Sequence, residues 1–492
     1  MFKEGNTMTV KSYIKELKAE CKNLTEKEVE EKIAKLTEIR INEIKNTKTQ
    51  VKITGSCYYV SNDGNDENDG KSPENPWKTT EKVAIAGKNG ILCEGDGVFF
   101  RRGDTFRGGF ECTNGITYSA YGEGEKPKFF SFFKNVAEEK LWKETDVKNI
   151  WEYTEDLSAL DIGNIVFEGK SCARKIYLSV EDDGTVYDAR ANRKFSGYAD
   201  ITDDLSFWHD WERDGEFTGK LYLKCTAGNP GKIYSDIEFT QRSSIFRVSG
   251  KKNITVDNVC ICCSNFGVSG ECHGLTVQNC EFYWIGGCYM LGARKYTPSR
   301  KFQTPYGNGI EIYGEAQDFT VDNCYFREVY DAAMTHQCGG GEREINNRNV
   351  RYINNVCEKC VYSVEIFYGE SPLGNRSNYG CYVENNILRD GGGFGHTARP
   401  DTGVTALIRN GRMMLNTKDY IVRNNIFDRS DEKIIQAGND GASKAQYFDN
   451  IYVQYQNGRF CTRFGNEYKA DNELPGILQS TGTEHNGDFF FV

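Results

Sequence analysis

Three short stretches of this chain set acids on what alternation makes a single surface. Residues 309–314 read Gly-Ile-Glu-Ile-Tyr-Gly, 331–337 read Asp-Ala-Ala-Met-Thr-His-Gln, and 363–369 read Ser-Val-Glu-Ile-Phe-Tyr-Gly. The period of two predicts strands, with Ile310, Ile312, Ala332, Met334, Val364 and Ile366 inward. Glu311, Asp331, Glu365, Tyr313, Thr335 and Gln337 then share the outer face. Carboxyl groups about 5 to 9.5 Å apart suit glycosidic bond cleavage, one protonated as acid and the other serving as nucleophile or base. Crowding of like charge raises one pKa toward the value an acid requires. An outward carboxylate on a β-surface is ordinarily solvated. Three on one face, flanked by Asn308, Tyr330 and Tyr368, are a candidate catalytic set with substrate-binding neighbours. His336 shares parity with inward Met334, so a buried, bonded histidine stands beside the substrate-binding reading. His396 and Arg399, in Gly-His-Thr-Ala-Arg, fall in the next repeat and border the same face.

The element that must position these acids is a repeat. An aliphatic-x-Asn phrase returns at Val256-x-Asn258, Val277-x-Asn279, Val321-x-Asn323, Ile353-x-Asn355, Val383-x-Asn385, Val422-x-Asn424 and, more loosely, Phe448-x-Asn450. Successive asparagines lie 21, 44, 32, 30, 39 and 26 residues apart. Units of this size without helical periodicity predict coils of a β-solenoid. Asn suits a stacked corner, because it tolerates left-handed backbone and its amide can bond the next amide. Val329 and Val361 each follow their Asn by six, which pairs Asp331 with Ser363 and Ala333 with Glu365. Ile312 then aligns with Met334 and Ile366. Coil spacing of roughly 4.8 Å places the Cα atoms of Glu311 and Glu365 about 9.6 Å apart, and those of Asp331 and Glu365 about 8 Å apart.

At these residues the chain resembles the pectin-lyase-like superfamily of right-handed parallel β-helices. Residues 58–66 (Tyr-Tyr-Val-Ser-Asn-Asp-Gly-Asn-Asp), 75–79 (Asn-Pro-Trp-Lys-Thr), 95–106 and 121–127 are similar to the entry coils of β-helix carbohydrate-active enzymes. The resemblance covers about residues 55–135 and 235–465. It implies either hydrolysis by paired carboxylates or β-elimination from uronates, where the family's lyases use a Lys or Arg base. The three aligned strands carry acids and no Lys or Arg, which favours a glycoside hydrolase. A polysaccharide lyase and a non-catalytic, tailspike-like carbohydrate-binding solenoid are the alternatives. The chain lacks the Asn-Thr-Asp, Asp-Asp and Arg-x-Lys set of polygalacturonases and the Asp-Pro-His motif of mannuronan epimerases, so no subfamily is assigned.

The organisation that follows is a helical extension or cap over 1–50, first coils over 51–136, an inserted β-rich subdomain over 137–235 and the main coils over 236–492. Val10, Tyr13, Ile14 and Leu17 form one helical stripe, and Val29, Ile33, Leu36 and Ile44 another. Thr25-x-x-Glu28 predicts a capping box. The expected role of this hairpin is to close the open N-terminal end of the solenoid, with homo-oligomerisation as the alternative. A net charge of −10 over 492 residues argues against nucleic acid or a strongly polyanionic ligand. Mean hydropathy is −0.62 and no apolar run approaches ~18 residues, so no membrane partner is expected. The start of the chain lacks a secretory layout and there are 18 cysteines, an expectation of reduced thiols in a cytoplasm. Cys260, Cys280, Cys324 and Cys357 are expected as stacked apolar filler and not as a metal site. No cofactor is expected. Asp63, Asn65, Asp66, Asn68 and Asp69 crowd a turn where Ca²⁺ binding is the less favoured reading.

Overall fold

Each aliphatic-x-Asn phrase ends a strand of one ladder and turns the chain into the next. The computed structural model describes residues 10–21, 23–211, 217–290, 303–369, 374–398, 404–411, 416–437, 445–463 and 466–492. The strands ahead of the phrases form one eleven-stranded sheet from Cys57–Val60 to Glu484–His485. Every neighbouring pair in it is parallel. Val256, Val277, Val321, Tyr352, Val383, Val422 and Tyr447 form one buried column of that sheet.

Beyond the corner lies a second parallel ladder, from Thr105–Arg107 through Lys128–Phe130, Cys260–Cys262 and Glu281–Ile285. A third begins at Phe110–Glu111 and continues through Ile237–Arg247, Ser264–Ser269 and Ile310–Tyr313. Tyr325–Cys338 and Val356–Tyr368 are long enough to run through both. The chain is therefore a parallel β-helix. Its interior stacks like on like: the Phe282 and Phe326 rings lie 4.5 Å apart and near parallel, and Phe427, Tyr452 and Phe489 continue the habit in later coils.

The corners carry the left-handed residues. Asn258, Asn279, Asn323, Asn354, Asn385, Asn424 and Asp449 have φ between 53° and 59°. Two of the sequence assignments therefore move by one residue, because Asn354 and Asp449 turn the chain where Asn355 and Asn450 were expected. Asn355 and Asn450 do a different job, together with Asn386 and Asn425. The backbone N–H of Asn355 donates to Asn386 Oδ1 (2.9 Å), that of Asn386 to Asn425 Oδ1 (3.0 Å), and that of Asn425 to Asn450 Oδ1 (3.0 Å). Each Nδ2 donates to the next Oδ1, or for Asn450 to Glu484 Oε2, and to a backbone carbonyl of the coil before it. All four asparagines are fully buried.

The helical hairpin Val10–Cys21 and Glu26–Lys45 forms with the expected capping box at Thr25 and Glu28. Its position differs from expectation. Ile14, Leu17, Val29, Ile33, Leu36 and Ile44 pack against Tyr325, Val356, Ile387, Ile426 and Ile451, the outer side of the second ladder. Arg40 donates to the corner residue Asn323. A column of aliphatic side chains faces outward there, and an amphipathic helix is what covers it. The first coil is packed instead by the short helix Thr80–Lys88 through Val83 and Ala86, and the last by Leu474–Ser480 through Leu474 and Leu478.

Between the first and later coils, five short strands from Trp142–Glu144 to Leu221–Lys224 make a mostly antiparallel sheet. The neighbouring strand Ile162–Phe167 joins the coils by pairing antiparallel with Ile237–Arg247. The cysteines occupy three kinds of position and not one: Cys280 and Cys324 precede Asn355 at the corner, Cys357 points inward beside Phe326, and Cys260 faces outward. Cys260, Cys262 and Cys263 share one cluster despite being near neighbours, because Cys263 is left-handed. Among the described residues no group of three or more His, Cys, Asp or Glu is arranged to hold a metal ion.

The two asparagine positions of each corner differ in what they contribute. Asn386→Leu would orphan the amides of Asn355 and the carbonyl of Tyr352 and is expected to lower unfolding free energy by at least about 2 kcal/mol. Asn385→Gly keeps the left-handed corner and should stay within about 1 kcal/mol. Urea denaturation of both variants measures the contrast, and equal losses would contradict it.

Candidate functional site

The third ladder carries the acids, and its register is direct. Glu311 pairs with Thr335, Thr335 with Glu365, and Glu365 with Arg409. Glu311 and Glu365 thus lie in one outward column two coils apart, about 9.6 Å between Cα atoms. Tyr313, Gln337 and Phe367 form the next column. The coil between sits two residues from its expected register. One residue comes from the corner, Asn354 in place of Asn355. The other comes from a bulge between Val329 and Ala332, where Tyr330 and Asp331 together oppose Val361. Two slips of one residue preserve parity, so the outward faces of Glu311, Thr335 and Glu365 stand while the partner of Asp331 changes. A bulge bends the strand and re-aims its side chains, and the charge of Asp331 acts on Glu311 more strongly than that of Glu365.

Glu311, Asp331 and Glu365 are only 8%, 7% and 4% exposed. Burial is the main force on Glu311, disfavouring its charged form, and the two neighbouring carboxylates add to it; its pKa is raised to about 7. Two amides oppose the rise. Asn308 Nδ2 and Gln337 Nε2 donate to the same oxygen, Oε2, at 2.6 and 2.7 Å. The orientation of Asn308 is fixed, since its Oδ1 accepts the backbone N–H of Ala332 at 2.8 Å. With Oε2 taking two N–H donors, the proton of neutral Glu311 belongs on Oε1.

Glu365 has a different environment. Its Oε1 accepts from Arg409 Nη1 at 2.6 Å, and the Arg409 guanidinium stacks over the Tyr362 ring, 4.7 Å from its centroid. Arg409 and Tyr306 escaped the sequence reading. Arg409 extends the same column by one coil, and the alternation of Leu407, Ile408, Arg409 and Asn410 was the available signal. Tyr306, in the strand Pro305–Tyr306, has its phenol pKa raised by burial, with Arg242 opposing the rise and the charge of Glu311 adding to it.

The expected neighbours divide. Asn308, Gln337 and the fully buried Thr335 surround the acids. Tyr313 is on the same surface and 53% exposed. His336 and Tyr368 are not on this face, and the substrate-binding expectation for both is corrected. His336 pairs with Ile312 and Ile366 inside the coil, its Nδ1 bonds the Tyr352 hydroxyl at 2.8 Å, and burial lowers its pKa to about 4. The Tyr368 hydroxyl accepts from Asn347 Nδ2, also within the core. His396 lies in the short helix Gly393–Ala398, with its side chain outside the described part, and Arg399 lies outside the described residues. A cavity of 560 Å³ lies elsewhere, lined by Lys128, Glu238, Cys260 and Glu281 among others. In the crowded turn near the start, Asp66 accepts from the Lys78 and Thr79 amides and the Thr79 hydroxyl, and Asp63 pairs with Arg101.

No known protein-family profile matches this sequence, and no curated protein matches it. Solved structures do. A chain titled a glycoside hydrolase aligns over 88% of this chain and 97% of its own at 10% identity, TM-score 0.43. A lacto-N-biosidase from Eubacterium ramulus aligns over 89% and 68% at 12% identity, TM-score 0.36. An alginate lyase from a Paenibacillus species aligns over 84% and 96% at 11% identity, TM-score 0.34.

The Glu311 environment can be measured directly. Its carboxyl band in infrared difference spectra, wild type minus Glu311→Gln, should titrate near pH 7. Asn308→Leu removes a donor that favours the charged form, so the midpoint should move upward. Because the folded pKa is raised, the stabilisation from neutral Glu311 is complete below its unfolded value and is lost as pH rises through about 7. Relative to Glu311→Gln, the wild type should therefore lose stability between about pH 4.5 and 7. A midpoint near 4.5 would contradict this description.

Proposed function

We propose that this chain is a glycoside hydrolase, with Glu311 as the general acid and Glu365 as the base or nucleophile. One observation carries the reading. Two buried carboxylates two coils apart in a single column have different partners: Glu311, bonded by two amides, is raised to about 7, and Glu365 is bonded to a guanidinium. Pairs of titratable groups driven apart in this way are how acid and base roles are divided at neutral pH. Protonated Oε1 of Glu311 gives its proton to the glycosidic oxygen as the bond to the anomeric carbon breaks. The alcohol leaves, and ionised Glu365, with Arg409 as its counter-ion, either takes a proton from the attacking water or bonds the anomeric carbon until water displaces it. Asp331 contributes negative charge that keeps Glu311 protonated. Asn308 and Gln337 hold the carboxyl in one orientation and stay in place after the proton leaves.

The second reading, β-elimination, is favoured by one observation, the presence of Arg409 in the acid column. Elimination needs a base able to release a proton, and a guanidinium bonded to a carboxylate and stacked on a ring is held in its charged form. Hydrolysis is preferred on that ground.

On a panel of aryl glycosides and oligosaccharides, Glu311→Gln and Glu365→Gln should each lower kcat by about 10² to 10⁴ with the fold retained by circular dichroism. The profile of kcat/KM should fall about tenfold per pH unit above about 7, as the acid form of Glu311 is lost. Turnover at the parent rate in either variant would refute the assignment. Products with unsaturated non-reducing ends in place of saturated ones would transfer the site to the lyase reading.

A further inference from the structure

On the N-terminal side of the acids, Arg242 has no counter-ion among the described residues. Arg242 lies on Ile237–Arg247, where Gln241 pairs with Ser264 and Ser244 with Phe266, so Arg242 and Ser243 together oppose Asn265. This is a bulge like the one that carries Asp331, and the two fall in line. Asn265 precedes Phe266, whose column runs through Asn308 to Ala332, which places Gly307 and Asp331 in the column of Asn265. Arg242 Nη2 donates to the Tyr306 hydroxyl at 3.1 Å, and its guanidinium lies 5.9 Å from that ring's centroid. Tyr306 in turn feels the charge of both Arg242 and Glu311. The guanidinium and the phenol are in contact, and the strand that Tyr306 precedes carries the acid.

Arg242 is half-buried, and among the described residues no carboxylate lies within ion-pair distance of it. Its Nη1 is buried and has no hydrogen-bond partner. The nearby acid that could have neutralised it, Asp161, is occupied by Lys175 Nζ and the amide of Tyr289, and meets Arg242 only through its backbone carbonyl. Asn265 is fully buried, its Oδ1 accepts the amide of Cys288, and its Nδ2 is left without a partner. A buried N–H with no acceptor costs about 1 to 3 kcal/mol, more when it is charged, so two such donors on one rung call for an acceptor that the described residues do not supply. Gln241 Oε1, on the same bulge, is a buried acceptor without a donor.

Resting on the hydrolase reading above, we propose that Arg242 and Asn265 bind a single oxyanion substituent, a carboxylate or a sulfate ester, on the sugar adjoining Glu311. Gln241 accepts from a hydroxyl of the same ring. A single guanidinium, in a chain of charge −10, fits one anionic group and not a dense polyanion. The guanidinium supplies a planar pair of donors for such an oxyanion, and Tyr306 sets its plane.

Calorimetric titration of the full chain with galacturonate, glucuronate and N-acetylglucosamine 6-sulfate, each against its neutral counterpart, tests this. At least one acidic sugar should bind about tenfold or more tightly than its neutral partner, and which one does so separates carboxylate from sulfate. Arg242→Gln should abolish the difference, Arg242→Lys should keep part of it, and neutral sugars should change less than about threefold. If Arg242→Gln fails to fold, Tyr306→Phe, which releases the guanidinium, should narrow the difference. Equal binding of acidic and neutral sugars by the wild type, no binding of any acidic sugar, or an undiminished difference in Arg242→Gln overturns the proposal. A chain that binds acidic sugars through Arg242 but cleaves no glycoside would refute the hydrolase and leave this site standing.

Discussion

The whole arrangement depends on one interaction, the stacking of buried amides along Asn355, Asn386, Asn425 and Asn450. A solenoid coil has no local reason to sit at one register over its neighbour, because apolar columns tolerate sliding by a full two-residue period. An amide whose oxygen takes a neighbour's backbone N–H, and whose nitrogen reaches back to a carbonyl of the coil before, has only one position that leaves nothing unpaired. The penalty for orphaning these groups inside the coil is what locks each rung. Glu484 ends the row by accepting from Asn450 and Tyr452, with burial raising its own pKa to about 7.

The row begins at the coil of Glu365 and takes in the coil of Asp331 through the Cys324 N–H, which donates to Asn355 Oδ1; the coil of Glu311 is joined to these by the Cys280 N–H on Cys324 Sγ. Glu311 and Glu365 share a column because each coil is fixed relative to the next. The departures from regularity are equally specific. At 330–331 and at 242–243, a bulge places a charged side chain where an unbroken strand would have placed a paired one. Both bulges border Gly307, whose added Cβ would meet the Gly286 backbone at 2.3 Å. That close approach carries Tyr306 and Asn308 past the acids. The inserted strands help to hold this segment, since Lys175 contacts the Gly287 carbonyl and is paired with Asp161 within the core.

Much of this was legible in the residues. The aliphatic-x-Asn phrases mark the coils because a left-handed corner and a buried amide column both select asparagine. What they could not resolve was which of two adjacent asparagines turned the chain at 354–355, since either satisfies the phrase. The bulge at Tyr330 and Asp331 has no local signature, because its cause lies in the neighbouring coil. Parity rescued the faces of Glu311 and Glu365. His336 was correctly suspected of an inward role from the parity of Met334, whereas Tyr368 was misplaced through its proximity to the acids in sequence. The helical hairpin was legible as a hairpin, but its place along the second ladder depends on an outward aliphatic column of Val356, Ile387, Ile426 and Ile451 whose sidedness only the corners define. Arg242 and Arg409 were invisible because a cation's importance here lies in whether it has a partner, which is a property of three dimensions.

The central claim is that this column of acids adds water across a glycosidic bond. Turnover of a cleaved oligosaccharide in ¹⁸O-labelled water, followed by mass spectrometry of the products, tests it most directly. The account predicts one solvent oxygen at the anomeric carbon of the new reducing end, lost together with product in Glu311→Gln. Cleavage products free of label, carrying a double bond instead, would contradict it.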